Sequence, residues 1–290
     1  MIGRHKYNHL KNLGIENLND IQKQQLREFE TDRGLNPEQK KSIGNYFQNL
    51  GKNKIKVPEY ANANISQLYY WFTIFYKELF NVKFNKESNN GEAYKLAYTI
   101  ICYLFKHPKF LDSPLINKDF NQVNINKGLL LVGGYGVGKT SIIKSVHQMI
   151  RKASNPIRYV QDENGKQQPI PRYKASFRFT TANDIVSEYE SIKNTLDKNM
   201  FWNKYQNGTI YIDDLMTERD ASNFGKVNIF KELLEKRSIT QAKTLVSMNY
   251  VNDNFNETLQ AYKEKYGPRN HDRLYQMFNI IELKGKSLRR

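Results

Sequence analysis

Lys139 and Thr140 close a segment that satisfies the pattern G-x-x-x-x-G-K-[ST] from Gly133 to Thr140 without a mismatch. The spelling has a chemical reason. A phosphate chain needs several backbone N–H donors turned toward it, and glycine lets a backbone curl tightly enough to supply them. Gly133, Gly134, Gly136, Val137 and Gly138 form that loop, and Ser141 follows it into a helix whose positive dipole end faces the anion. Lys139 is then expected to reach the β- and γ-phosphate oxygens as a point charge, and Thr140 to offer its hydroxyl to Mg²⁺. The cofactors expected are ATP and Mg²⁺.

About seventy residues later, Thr209-Ile-Tyr-Ile runs into Asp213 and Asp214, an apolar strand ending in two carboxylates. Asp213 is expected to orient Mg²⁺ through its water shell. Asp214 is the candidate to polarise an attacking water, since general-base work needs a carboxylate within hydrogen-bond reach of that proton. An aspartate is shorter than a glutamate, so turnover without a stimulating partner is expected to be slow. Glu218 is a second candidate base, for which a surface position is the plainer reading. Ser247-Met248-Asn249 ends another apolar run, and Asn249 is a candidate to position the same water.

These residues require a strand–loop–helix unit and neighbouring parallel strands. From residue 127 onward strands alternate with helices, the pattern of a parallel sheet covered on both faces. The strands are read at Leu129–Val132, Ser176–Phe179, Thr209–Ile212, Thr244–Met248 and Asn279–Leu283. Intervening helices are read to about Lys152, over Thr181–Lys193, Leu196–Tyr205, Lys226–Arg237 and Asn256–Lys265, and from Asp272. Asn164-Gly165 is the best hairpin-turn signal in the chain, making 157–174 a candidate β-ribbon. Ahead of this lie helices at Asp20–Asp32, Pro37–Leu50, Ile65–Phe80 and Glu92–Phe105, with Lys86–Gly91 as a linker. Two domains are expected, a helical region at 1–85 and a nucleotide domain at 86–290. The aromatic face of the third helix (Tyr69, Tyr70, Trp71, Phe72, Phe75 and Tyr76) reads as core.

The chain has 290 residues, a net charge of +16 and a pI near 9.6, which points to a polyanionic partner, nucleic acid first. Cys102 is the single cysteine, so no internal disulfide and no cysteine metal cluster can form; it reads as a small core residue. The five histidines show no metal-binding pairing. No apolar run approaches a membrane span and the first thirty residues lack a targeting pattern, so a soluble, cytoplasmic protein without membrane partners is expected.

With these pieces in order, the chain resembles the AAA+ ATPases of the DnaC/IstB type. The resemblance covers roughly residues 90–290. It rests on the Asn90–Ala93 helix start, Gly133–Thr140, Ile212–Leu215, Thr244–Asn249, Tyr266–Leu274 and the ending Ile280–Arg289. It implies an α/β P-loop AAA+ domain with a parallel sheet covered by helices, preceded by a small all-helical region and lacking a C-terminal lid. It further implies that Arg273 is an arginine finger completing a neighbouring subunit's site, with Arg269 as second choice, and hence a homo-oligomer. A fixed, always-charged guanidinium suits that task. The family's helical insertion facing single-stranded DNA corresponds to Thr181–Gln206, where Lys193, Lys198 and Lys204 lie among Tyr189, Phe201, Trp202 and Tyr205. Two departures stand out: Met216 where many relatives have glycine, and a longer stretch at 153–175. The function implied is a helicase loader in DNA replication, binding single-stranded DNA and, through residues 1–85, a replicative helicase. Two alternatives stay open, a transposition regulator that binds duplex DNA and directs a transposase, and a nucleotide-dependent scaffold or defence sensor.

Overall fold

The computed structural model describes residues 4–31, 64–120, 122–153, 159–161, 164–169, 175–223 and 225–287. The chain divides into two compact units, Met1–Pro58 and Glu59–Arg290. In the first, α1 (Arg4–Asn12) and α2 (Asp20–Thr31) share a small core of Leu10, Leu18 and Leu26. Asn19 starts α2 through reciprocal bonds: its side chain accepts from the Gln22 amide at 2.8 Å, and Gln22 accepts from the Asn19 amide at 3.0 Å. The helix expected at Pro37–Leu50 lies outside the described residues.

The second unit begins with α3 (Ile65–Phe80) and α4 (Glu92–Leu104) and continues with β1 (Gly128–Gly133) and α5 (Lys139–Ala153). A two-stranded hairpin follows, β2 (Tyr159–Gln161) with β3 (Gln167–Pro169), and Gly165 at its turn takes φ 78°, as the Asn-Gly signal requires. Then come β4 (Arg178–Thr181), α6 (Ala182–Glu190), α7 (Thr195–Gln206) and β5 (Ile210–Leu215). A short hairpin, β6 (Ala221–Ser222) with β7 (Lys226–Val227), was not foreseen and takes the place of the start expected for the next helix. The chain closes with α8 (Ile229–Ile239), β8 (Thr244–Asn249), α9 (Phe255–Tyr266), α10 (Pro268–Met277) and β9 (Phe278–Leu283).

The main sheet is five-stranded and parallel, in the order β4-β5-β8-β1-β9. Every residue of β1 is buried, as both faces must be covered. Alternation assigns the faces: Leu129, Leu131, Tyr211, Leu245 and Ile281 pack with α3, α4 and α5. Leu130, Val132, Ile212, Val246 and Ile280 pack with α6 to α10. The α/β fold read from the sequence, a parallel sheet covered by helices with a phosphate loop after β1, is therefore the fold observed, with boundaries shifted by a few residues.

The domain boundary falls earlier than residue 85. Leu68, Trp71, Phe72 and Phe75 of α3 belong to the same core as Leu129 and Leu131, so α3 goes with the sheet. Lys86–Gly91 is accordingly a packed turn rather than an interdomain linker; the Asn89 side chain accepts from the Lys286 amide at 3.1 Å. Of the aromatic face, Tyr69, Trp71, Phe72 and Phe75 are core as expected, whereas Tyr70 is exposed and Tyr76 only partly buried; Cys102 is fully buried. Among the described residues no helix is long and apolar enough to cross a membrane.

If α3 is part of the sheet domain, a chain starting at residue 59 should give one cooperative thermal transition by circular dichroism. A chain starting at 86 should lose that cooperativity. Phe72→Ala, which empties a fully buried site, should cost about 3–5 kcal/mol in urea unfolding.

Candidate functional site

The sheet register brings the three motifs together. Gly133 at the end of β1 pairs with Asn249 at the end of β8, and β8 lies between β1 and β5, which ends in Asp213, Asp214 and Leu215. Three adjacent carboxyl ends thus form one edge, the place where open α/β sheets hold ligands.

Two glycines of the loop have a steric reason. Gly136 sits at φ 78°, and a Cβ there would also meet the Ser287 hydroxyl. A Cβ on Gly133 would lie 2.8 Å from the Leu283 backbone oxygen. The loop is therefore lined on one side by the segment that follows β9.

Lys139 opens α5 and is almost wholly buried. Its Nζ donates to Gly133 O at 2.7 Å, Gly134 O at 2.9 Å and Asn249 Oδ1 at 3.0 Å. The Asn249 Nδ2 in turn donates to Asp214 Oδ1 at 3.1 Å. Only one amide orientation lets the oxygen face an ammonium while the nitrogen faces a carboxylate, so these two neighbours fix it. Asn249 thus links the lysine to the second carboxylate.

Asp213 is 2% exposed, and its Oδ1 accepts from three hydroxyls: Thr140 at 3.1 Å, Tyr211 at 2.7 Å and Ser247 at 2.5 Å. Thr140 and Asp213, the two residues expected to share Mg²⁺, are thus in contact. Burial and the neighbouring carboxylate push the Tyr211 phenol well above its usual value, so it stays protonated and donates. Strand alternation alone would send Asp213 and Asp214 to opposite faces. A β-bulge intervenes, because Ile212 pairs with Val246 and Leu215 with Met248, leaving two residues opposite Ser247. Asp214 takes φ 53° there, and its amide donates to Ser247 Oγ at 3.0 Å. The bulge turns the second carboxylate toward Asn249.

A cavity of about 600 Å³ opens over the loop, within the roughly 300–1,000 Å³ usual for small-molecule sites. Gly138, Lys139, Thr140 and Lys144 line one part, Asp214, Thr217 and Asn249 another, and Tyr76, Phe80 and Val82 a third. A donor-rich glycine loop with an apolar, aromatic wall suits an anion chain joined to a flat base. The residues present therefore fit ATP, with Thr140 and Asp213 as the pair that would hold Mg²⁺.

Sequence reasoning missed Ser247, Tyr211 and the α3 wall. Period-two spacing places Tyr211 with Asp213 and Ser247 with Asn249, and Tyr76 and Phe80 are four apart on α3; these were available signals.

Two expectations are corrected, those for Glu218 and for the aromatic residues of Thr181–Gln206. Glu218 is buried, not at the surface, and serves no base role here: its Oε1 accepts from Tyr266 at 2.7 Å and pairs with Lys265 at 2.9 Å. The same two residues hold the left-handed Met216, φ 79°, whose amide donates to Tyr266 Oη at 3.1 Å and whose carbonyl accepts from Lys265 at 2.8 Å. This is how a methionine occupies a position where glycine would be unstrained. In the Thr181–Gln206 stretch, Tyr189, Phe201 and Tyr205 are core residues rather than a stacking platform. Lys204 is committed to Glu188 at 2.6 Å. Burial alone would raise the Glu188 carboxyl, but hydrogen bonds from Lys204 and Tyr205 hold it below its usual value. Lys193 and Lys198 are exposed. Arg273 and Arg269 do not line the cavity; both pair with Glu235 of α8, at 3.1 and 2.9 Å. The Arg273 contact is an ion pair without hydrogen-bond geometry.

No protein-family model matches the chain, and no curated protein does. Among solved structures it is similar to the DnaC helicase loader at 21% identity, covering 55% of this chain and 79% of that one, with a TM-score of 0.37. It is similar to DnaI at 17% identity, covering 73% and 93%, with a TM-score of 0.40. It is also similar to AMPPCP-bound DnaA from Aquifex aeolicus at 14% identity, covering 69% and 50%, with a TM-score of 0.39. The fold assignment rests on this chain's own sheet order and phosphate loop.

Removing a hydroxyl from Asp213 leaves a buried carboxylate short of a donor. Ser247→Ala, which also takes the acceptor from the Asp214 amide, and Tyr211→Phe should each destabilise by about 1–3 kcal/mol in urea unfolding.

Proposed function

We propose that this chain is an ATP-binding switch of the DnaC/IstB-type AAA+ group, hydrolysing ATP slowly and acting as a helicase loader in DNA replication. The observation that supports it most is the contact set at the sheet edge, Lys139 to Asn249 to Asp214 beside Thr140 to Asp213. The glycine loop and the α5 amino terminus bind and orient the phosphates, and Lys139 exchanges its carbonyl partners for phosphate oxygens. Bound Mg²⁺ supplies charge neutralisation at the β- and γ-phosphates. Asp213 and Thr140 would hold it, while Asp214, steadied by Asn249, accepts the proton of the water that attacks the γ-phosphorus as ADP leaves. Tyr76 and Phe80 exclude water from the apolar end of the cavity.

On this reading Arg273 leaves Glu235 to reach a neighbouring copy's site, and the exposed Lys193 and Lys198 contact single-stranded DNA. The net charge of +16 supports a polyanionic partner. The helices before residue 59 recruit the client, a replicative helicase.

Lys139→Ala should weaken ATP binding roughly tenfold to a hundredfold in equilibrium titration, the loss of a charge-assisted contact of about 1.5–3 kcal/mol. Unchanged affinity would refute the phosphate-loop reading. Arg273→Ala should bind ATP normally yet hydrolyse it poorly, and should regain turnover when mixed with Asp214→Asn; failure of rescue would count against a shared site. Charge reversal at Lys193 and Lys198 should weaken salt-sensitive binding to oligothymidylate, whereas indifference would remove that surface from the account.

A further inference from the structure

We propose that a second pocket, at the end of the sheet opposite the phosphate loop and walled by Lys127, Lys243 and Arg237, is an anion site that takes a phosphate group. It lies where the strands begin: Gly128 opens β1, Lys243 precedes β8 and Met277 precedes β9. Its volume is about 370 Å³, and no aspartate or glutamate lines it.

Each of the three cations has only neutral partners among the described residues. Arg237 is fully buried, a state in which arginine is ordinarily paired with an acid. Its guanidinium donates instead to Thr244 Oγ1 at 2.8 Å, to Gly208 O at 2.8 Å, to Lys243 O at 3.0 Å, to Asn207 O at 3.5 Å, and to the Tyr205 carbonyl. Its donors are consumed by these oxygens, so it contributes field rather than a contact. Lys127 Nζ donates to Tyr275 O at 3.1 Å and Lys243 Nζ to Ile125 O at 3.0 Å. An ammonium has three donors, so both lysines keep protons for further acceptors. Burial holds both below the ordinary lysine range, Lys106 adding to the effect at Lys243; an anion between them would relieve that cost.

The site is also built rather than incidental. Asn279, fully buried, donates to Asn124 O at 2.8 Å and Gly128 O at 3.2 Å and accepts from the Asn124 amide at 2.9 Å. That clamp fixes the segment presenting Lys127. Tyr103 joins the two lysines: its hydroxyl donates to Lys127 O at 2.6 Å, and the Lys243 ammonium lies 4.4 Å from its ring centre. Amides of Asn126, Gln241 and Gln276 complete the rim. Two lysines with spare donors, a buried guanidinium behind them and neutral amides around them match the oxygens of a phosphate.

The test is a titration of the full chain with sodium phosphate, with sodium chloride at matched ionic strength, and with oligothymidylate. Amide NMR shifts of Asn126–Gly128 and Gln241–Lys243 separate this pocket from the phosphate loop. Phosphate should move these resonances saturably and chloride should not. In the double variant Lys127→Gln/Lys243→Gln the affinity should fall about tenfold or more, and in Lys127→Arg/Lys243→Arg it should be largely kept. Saturable shifts with oligothymidylate as well would identify polynucleotide phosphate as the source, and shifts with phosphate alone a small phosphate compound. Equal responses to phosphate and chloride, or equal phosphate affinity in wild type and the glutamine variant, would overturn the proposal. The wild-type comparison decides even if the glutamine variant does not fold.

Discussion

One carboxylate oxygen, Asp213 Oδ1, ties the helix after the phosphate loop to two strands of the sheet. It accepts hydroxyls from Thr140 of α5, from Tyr211 of its own strand β5 and from Ser247 of β8. A carboxylate buried to this depth needs such donors, because burying a polar group without hydrogen bonds is costly. The same contacts set the distance between loop and strand ends, and every other feature of the candidate site is placed relative to them.

The bulge at Asp214 follows from that arrangement. Ser247 serves two masters, donating to Asp213 and accepting from the Asp214 amide, and it can do so because β5 has an extra residue opposite it. The cost is a non-glycine residue at φ 53°, a type of local strain found where structure must re-aim a side chain. Asp214 then reaches Asn249, and Asn249 reaches Lys139. The chain of direct contacts links β5, β8 and the first residue of α5. A second strained position, Met216, is held from outside by Lys265 and Tyr266, with Glu218 buried beneath them. The loop after β5, which brings Thr217 to the cavity wall, is thus anchored on α9.

Much of this was legible in the sequence because it obeys local rules. The phosphate loop, the strand ends bearing Asp213 and Asn249, the Asn164-Gly165 turn and the aromatic core of α3 all follow from spacing and backbone preference. What was not legible depends on pairing between distant segments. A period-two reading of β5 cannot see the bulge, since its extra residue shows only in the pairing with β8. The burial of Glu218 depends on α9, and the engagement of Lys204 depends on Glu188, a turn and a helix away. The boundary at 59 rather than 85 reflects packing of α3 on the sheet, which no composition change marks. Tyr76 was read as core, yet it is only partly buried, and with the exposed Phe80 it lines the cavity at the last turn of its helix.

The most direct test is a structure of the chain with Mg²⁺ and a nonhydrolysable ATP analogue. Triphosphate density should lie along Gly133–Thr140, with Lys139 Nζ on phosphate oxygens instead of the Gly133 and Gly134 carbonyls, and the metal between Thr140 and Asp213. Nucleotide bound elsewhere, or a loop that keeps its internal lysine contacts at saturating analogue, would contradict the account.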